Sequence, residues 1–173
     1  AVKSKGEGIF FELSKEKIDS WFEGNQHTSM IEKINRKEEN VTYSDELSSI
    51  NPKFYLLHTL SHLLIKELTL TSGYSSSSLR ERLYFSDNYG EEMYGVLIYT
   101  SSSDSEGTLG GLVKQGIPSN FFSIVENAIE KAKWCSFDPI CIDSEGQGRN
   151  SLNVAACHAC SLVSETSCEK MNV

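Results

Sequence analysis

The sequence predicts an α+β domain: a mixed sheet packed around a long central apolar helix, followed by a Cys-rich C-terminal lobe. Three observations carry that prediction. Nine apolar residues fall at helical spacing between about 52 and 71. Met93 to Thr100 is a continuous aromatic and β-branched run. All five cysteines of the 173-residue chain lie after residue 134.

The elements follow in order. Gly6 to Leu13 holds a short apolar run with strand character. Ser14 suits the N-cap of a helix carrying Ile18, Trp21 and Phe22, which Gly24 stops. Residues 27–40 are polar, with Met30, Ile31 and Ile34 spaced for the thin apolar stripe of a surface helix. A loop spans 40–50. Residues 1–48 are therefore expected to form an N-terminal extension or part of a preceding unit, and 49–173 the domain proper, with its Cys-rich lobe at about 134–173.

The central helix begins at Pro52, whose missing N–H costs nothing in a first turn. At 100° per residue, Phe54, Leu56, Leu57, Leu60, Leu63, Leu64, Ile65, Leu68 and Leu70 cover an arc of about 220°. A helix that apolar is covered on most sides. The remaining arc carries Tyr55, His58, Thr59, His62, Lys66 and Thr69, so both histidines share one polar stripe, and Gly73 ends the helix. A serine within 75–78 is expected to cap a helical Leu79 to Tyr84, with Arg80 and Arg82 on its solvated face. Met93 to Thr100 reads as a strand buried on both faces. Phe121 to Trp134 reads as a helix with Phe122, Val125, Ile129 and Ala132 on one face.

Composition bounds the function. Hydrophobic residues are 39% and charged residues 23%, which excludes wholesale disorder. The net charge of −8 argues against a free-standing phosphate-binding surface. No apolar run approaches the ~18 residues of a membrane span, and no basic-apolar leader stands at Ala1. The chain starts in mid-pattern and stops just after a Cys motif, as a piece of a larger protein would.

The cysteines carry the most specific chemistry. Cys135 and Cys141 form a C-x5-C pair, Cys157 and Cys160 a C-x2-C knuckle, and Cys168 follows. An odd number clustered in one short stretch does not read as a secreted disulfide framework. It reads as thiolate ligation of zinc in a reducing compartment, the cytoplasm. Two short pairs about 20 residues apart suit a tetrahedral ion, because each pair directs two thiolates at one point. All-thiolate ligation closes the shell, so the zinc is structural, about one ion per chain. Five cysteines compete for four places.

Two other constellations were weighed. His58-x-x-x-His62 has the helical spacing of zinc proteases, but Thr59 stands where their general base belongs. The pair is expected to pack against a neighbouring strand or loop. Asp104-Ser-Glu-Gly-Thr-Leu-Gly-Gly111 is an acidic, Gly-rich turn after a buried strand, without the Lys of a phosphate-binding loop. Gly110 and Gly111 would there allow close backbone approach. If Asp104 and Glu106 met His58 and His62, the four would make an acid/base cluster for a DNA-processing hydrolase or nuclease.

Taken in order, the motifs resemble one known family. They are His58-Thr-Leu-Ser-His-Leu-Leu64, Gly73-Tyr-Ser, Leu79-Arg-Glu-Arg-Leu-Tyr84, Gly95-Val-Leu-Ile-Tyr-Thr100, Asp104-Ser-Glu-Gly-Thr-Leu-Gly-Gly-Leu112, Cys135 to Cys141, Ala155-Ala-Cys-His-Ala-Cys160 and Glu165-Thr-Ser-Cys-Glu169. The order resembles the MrfA-type zinc-binding domain at the C-terminus of MrfA-like helicases, in the version carried by the DISARM anti-phage system. The likeness covers roughly residues 50–173. It implies a four-Cys zinc site in which Cys157, Cys160 and Cys168 are the most secure ligands and the fourth is Cys135 or Cys141. It also implies a non-catalytic module of a helicase complex, supporting partner docking and the DNA path. The implied partner is the helicase subunit of the same system (DrmA-like), with DNA reached through the complex and no membrane involved.

Overall fold

The computed structural model describes residues 6–39, 51–101, 110–148, 151–154 and 156–173. Its sheet has three strands, β1 (Gly8–Glu12), β2 (Leu79–Ser86) and β3 (Met93–Thr100), in the order β1-β3-β2. Both pairings are antiparallel, so the expected mixed sheet is antiparallel among the described residues. The reason is local: β2 and β3 are joined by a six-residue turn with Gly90 at φ +83°, and so short a link can only reverse the chain. β3 is the middle strand, which explains its unbroken apolar run; Tyr94, Val96 and Ile98 are fully buried.

The expected helix at Leu79 to Tyr84 is instead strand β2. Leu79, Glu81 and Leu83 face inward while Arg80, Arg82 and Tyr84 face out, a period of two. Ser75 caps only one 3₁₀ turn, Ser76–Ser78, and makes no side-chain cap bond. Pairing with β3 over eight positions outweighs that weak local signal. The free edge of β2 is covered by the C-terminal tail: Glu81 N–H donates to the Ser167 carbonyl (3.0 Å) and Leu83 N–H to Glu169 Oε2 (2.8 Å).

Helix α3 (Pro52–Ser72) is the spine of the core. Asn51 caps it through Oδ1, which accepts from Phe54 N–H at 3.0 Å, and Gly73 closes it at φ +82°. Its buried face is rotated from the apolar arc. Leu57, Leu64, Ile65 and Leu68 are sealed, but so are Tyr55, His58, Ser61, His62 and Glu67. Leu56, Leu60 and Leu63 are only partly buried, and Leu70 is 72% exposed. The cause is the tail, which packs over the polar stripe: Tyr55 Oη donates to the Leu152 carbonyl at 2.5 Å, and Leu152, Val154, Val163 and Val173 join the same core.

The N-terminal segment shares this core. β1 supplies an edge strand and Ile9, and α1 (Lys15–Asn25) and α2 (Ser29–Glu39) bring in Ile18 and Ile34. Beyond β3 come α4 (Gly111–Gln115) and then α5 (Pro118–Ala132). Gly111 is required by crowding, since a Cβ there would meet the Ser72 carbonyl oxygen at 2.6 Å. The amide groups at this turn are taken: Glu7 Oε2 accepts from Gly110 N–H (3.0 Å) and Val113 N–H (2.9 Å), and Oε1 accepts from Tyr74 Oη. A phosphate would find those donors occupied. On α5 the core face is Phe121, Ile124, Val125 and Ala128, one position away from the expected face, and Phe122 and Ile129 point outward.

Leu64→Ala should cost about 2–5 kcal/mol in denaturant unfolding, whereas half-buried Leu60→Ala should cost clearly less. Glu7→Ala should cost about 1–3 kcal/mol, because two backbone donors and a buried hydroxyl lose their acceptor. Burial alone would raise the Glu7 carboxyl, but Tyr74 and the backbone amides of the turn outweigh it and hold it below its ordinary 4.5. A depressed carboxyl stabilises the fold above its unfolded value and stops doing so as pH falls through the folded one. The wild type should therefore lose stability below about pH 4.5 faster than Glu7→Ala does, measured by melting temperature against pH.

Candidate metal centre

Among the described residues two groups of donor atoms converge, one within the tail and one where the tail meets α3 and β2. The first is built by the end of α5 and two turns of the tail. Its members are Cys135, Cys141, Cys157 and Cys160, whose sulfurs all lie within 4.8 Å of one another. Cys141 N–H donates to the Phe137 carbonyl (3.1 Å), which folds the C-x5-C loop back on itself. In the knuckle, Ser161 and Leu162 N–H groups both donate to the Cys157 carbonyl, and Cys157 N–H donates to Cys160 Sγ at 3.2 Å. Lys66 of α3 holds the knuckle from below, donating to the carbonyls of His158 (3.1 Å) and Ala159 (3.3 Å).

The separations test whether zinc fits. Sulfur–sulfur distances are 3.5 Å for Cys135–Cys157, 3.8 Å for Cys141–Cys160 and 3.7 Å for Cys157–Cys160. A tetrahedron with Zn–S bonds of about 2.3 Å has edges of about 3.8 Å. All four cysteines are free thiols. Burial would raise the Cys157 thiol, but the backbone of the knuckle and the Cys135 thiol outweigh it and bring it down to about 7. Burial pushes Cys141 up. Four thiolates this close repel one another unless a cation sits among them. The donor set therefore fits a closed, structural zinc.

Cys168 is not in this group. The structure places it in the second one, with His58, His62 and Glu81, all four buried and their donor atoms within 4.8 Å of one another. The resemblance puts Cys168 with the knuckle, but the tail turns back along the edge of β2, where Ser167 and Glu169 pair with it, and this sets Cys168 Sγ 3.2 Å from His58 Nε2. His58 and His62 do pack against a strand, as expected, but their partner is a carboxylate that sequence reading passed over. Glu81 lies at an inward position of β2, and a charge at an apolar position of a period-two pattern was the signal that could have found it. Asp104 and Glu106, the other half of the expected acid/base cluster, lie outside the described residues. The histidines, 1% and 3% exposed, line a pocket of about 30 Å³, room for little more than a water molecule.

Beside the knuckle runs a cleft of about 630 Å³ between α3, α5 and the tail, with Leu63, Leu70, Ala132, Trp134 and Leu162 on its walls. Trp134 is 73% exposed, Phe137 and Ile140 stand exposed on the C-x5-C loop, and Ile142 is exposed just after it.

With this architecture, a sheet-backed helix and a four-cysteine lobe, comparison with known proteins is specific. The model of the MrfA Zn-binding domain matches residues 60–161, and the chain belongs to that family. The matched span contains Cys135, Cys141, Cys157 and Cys160 and ends before Cys168. The chain is also 42% identical over 182 aligned residues to the DISARM protein DrmB of Bacillus paralicheniformis, a match that covers 99% of this chain and 31% of that protein. The chain thus spans about a third of the length of that relative.

Proposed function

We propose that Cys135, Cys141, Cys157 and Cys160 hold one structural zinc, and that the chain is a non-catalytic docking module of an anti-phage, DISARM-like helicase complex in the cytoplasm. The observation that carries the docking reading is the apolar cleft beside the knuckle and the exposed aromatic and aliphatic side chains around it. Large apolar side chains left in water beside a metal-braced loop suit a protein partner. The likeness to DrmB, named for the DISARM system, supports a partner within that system, the helicase subunit (DrmA-like). No helix among the described residues is long and apolar enough to cross a membrane. The competing enzyme reading, through His58, His62, Asp104 and Glu106, is disfavoured by the sealed histidines, which no substrate reaches.

The zinc contributes folding energy to a lobe of short turns with few apolar contacts, so ligand loss and unfolding go together. Cys157→Ser and Cys160→Ser should each release this zinc and loosen the tail, read by elemental analysis and limited proteolysis; variants that keep both metal and protease resistance would refute the ligand assignment. Trp134→Asp and Ile140→Asp should abolish capture of the helicase subunit while leaving zinc content and melting temperature unchanged. Unaltered capture would remove the cleft from the interface.

Net charge sets the expectation for nucleic acid. Because phosphate neutralisation dominates DNA affinity, a chain of net charge −8 should bind DNA weakly at about 150 mM salt. Of its outward basic groups, Arg82 is already paired to Glu169 at 2.9 Å. DNA would be reached through surfaces of the assembled complex, with Arg80, Arg82 and Lys114 at most lining one edge. Sub-micromolar, steeply salt-dependent binding in an anisotropy titration would make the domain a DNA-binding unit in its own right.

A further inference from the structure

The second convergence, His58, His62, Glu81 and Cys168, belongs neither to the zinc lobe nor to any role proposed above. Three separate elements deliver it. Consecutive turns of α3 present the two imidazoles, whose ring centroids are 4.2 Å apart. β2 brings in Glu81, and the tail brings in Cys168. His58 Nε2 lies 3.1 Å from Glu81 Oε1 and 3.2 Å from Cys168 Sγ, and His62 Nε2 lies 3.5 Å from the same Glu81 oxygen. All four donor atoms lie within 4.8 Å of one another, and all four residues are buried. We propose that this is a second metal site, taking a zinc ion in a closed two-histidine, one-carboxylate, one-thiolate shell, distinct from the four-cysteine site.

Four observations support it. First, His62 Nε2 is buried with no hydrogen-bond partner, while a hydrogen bond with the Ser161 backbone engages the ring elsewhere. An orphaned imidazole nitrogen in a sealed interior costs free energy, and a metal would satisfy it. A second-shell bond on the other ring nitrogen is what orients a ligating histidine. Second, tetrahedral zinc with bonds of about 2.0–2.3 Å sets its ligands about 3.3–3.8 Å apart, close to the separations seen. Third, the charges balance. Glu81 is 3% exposed, and among the described residues it makes no ion pair with Lys or Arg. A divalent ion, one carboxylate, one thiolate and two neutral imidazoles sum to zero, the inexpensive way to bury a carboxylate. Fourth, the outer partners are in place. Ser61 Oγ donates to Glu81 Oε2 and Glu169 N–H to Glu81 Oε1, while Lys170 and Asn172 N–H groups donate to Cys168 Sγ at 3.3 and 3.1 Å.

A nucleophile triad is the rival arrangement of Cys, His and Glu, and the geometry opposes it. In a triad the imidazole touches the nucleophile with one nitrogen and the carboxylate with the other. Here the same Nε2 faces both, and the thiol sulfur is already engaged by the backbone N–H groups of Lys170 and Asn172. Mixed nitrogen, oxygen and sulfur donors favour zinc over harder ions. With four protein ligands filling a tetrahedral shell, the ion would be structural, pinning α3, β2 and the tail together.

Purified protein, never exposed to chelator, decides the matter. Elemental analysis should find two zinc ions per chain. X-ray absorption at the zinc edge should report a mean shell of about two and a half sulfurs, with the remainder nitrogen and oxygen. Cys168→Ala and His62→Gln should each lose one zinc and shift the mean shell to nearly all sulfur, whereas Cys157→Ser should lose the other zinc and shift it toward nitrogen and oxygen. One zinc per chain in an all-sulfur shell would overturn the proposal, as would two zincs retained in Cys168→Ala. If the variants fail to fold, the wild-type stoichiometry and shell still decide it.

Discussion

Everything in this fold turns on covering the polar stripe of α3. A helix with two histidines, a serine and a tyrosine along one side would ordinarily turn that side to water. Here the C-terminal tail lies across it, and the burial of those groups is tolerated because each finds a partner on another element: Tyr55 the Leu152 carbonyl, Ser61 and His58 the carboxylate of Glu81. Buried polar groups are costly when unpaired and directional when paired. The stripe thereby fixes where β2 and the tail can sit, and the generic apolar arc of the same helix could not have done so alone.

The tail in turn needs its own source of order. It contains turns and one isolated bridge, Gln147 with Asn153, but no regular strand or helix among its described residues. Its apolar contribution to the core is a handful of side chains such as Leu152, Val163 and Val173. A metal-braced cluster of four cysteines substitutes for the hydrophobic area such a segment lacks. Lys66 ties the two halves together by reaching from α3 to the knuckle carbonyls, so that the lobe is anchored on the helix it helps to cover.

That economy leaves apolar side chains at the surface. Leu70, Phe122, Trp134 and Ile140 face solvent although their neighbours on the same elements are in the core. A lobe whose stability comes from metal–sulfur bonds is free to expose such residues, because it does not depend on burying them. The cleft between α3, α5 and the knuckle lies where that exposed apolar surface meets the four-cysteine site.

The sequence by itself determined the α+β class, the extent of α3, the central position of β3 and the metal chemistry of the cysteine pairs. Each of these rests on local periodicity or on ligand spacing, which a linear chain displays. Only the tertiary structure decided that Leu79 to Ser86 is a strand, because the charge of Glu81 at an inward position breaks the apolar alternation, and pairing with β3 is what fixes the extended backbone. Only the tertiary structure could rotate the buried face of α3, since the covering tail lies some ninety residues away in sequence, as the Tyr55–Leu152 separation of 97 shows. The same distance hid the company of Cys168. Spacing places it eight residues beyond a knuckle, but a chain reversal carries it to His58, 110 residues earlier, and no short-range pattern records a reversal.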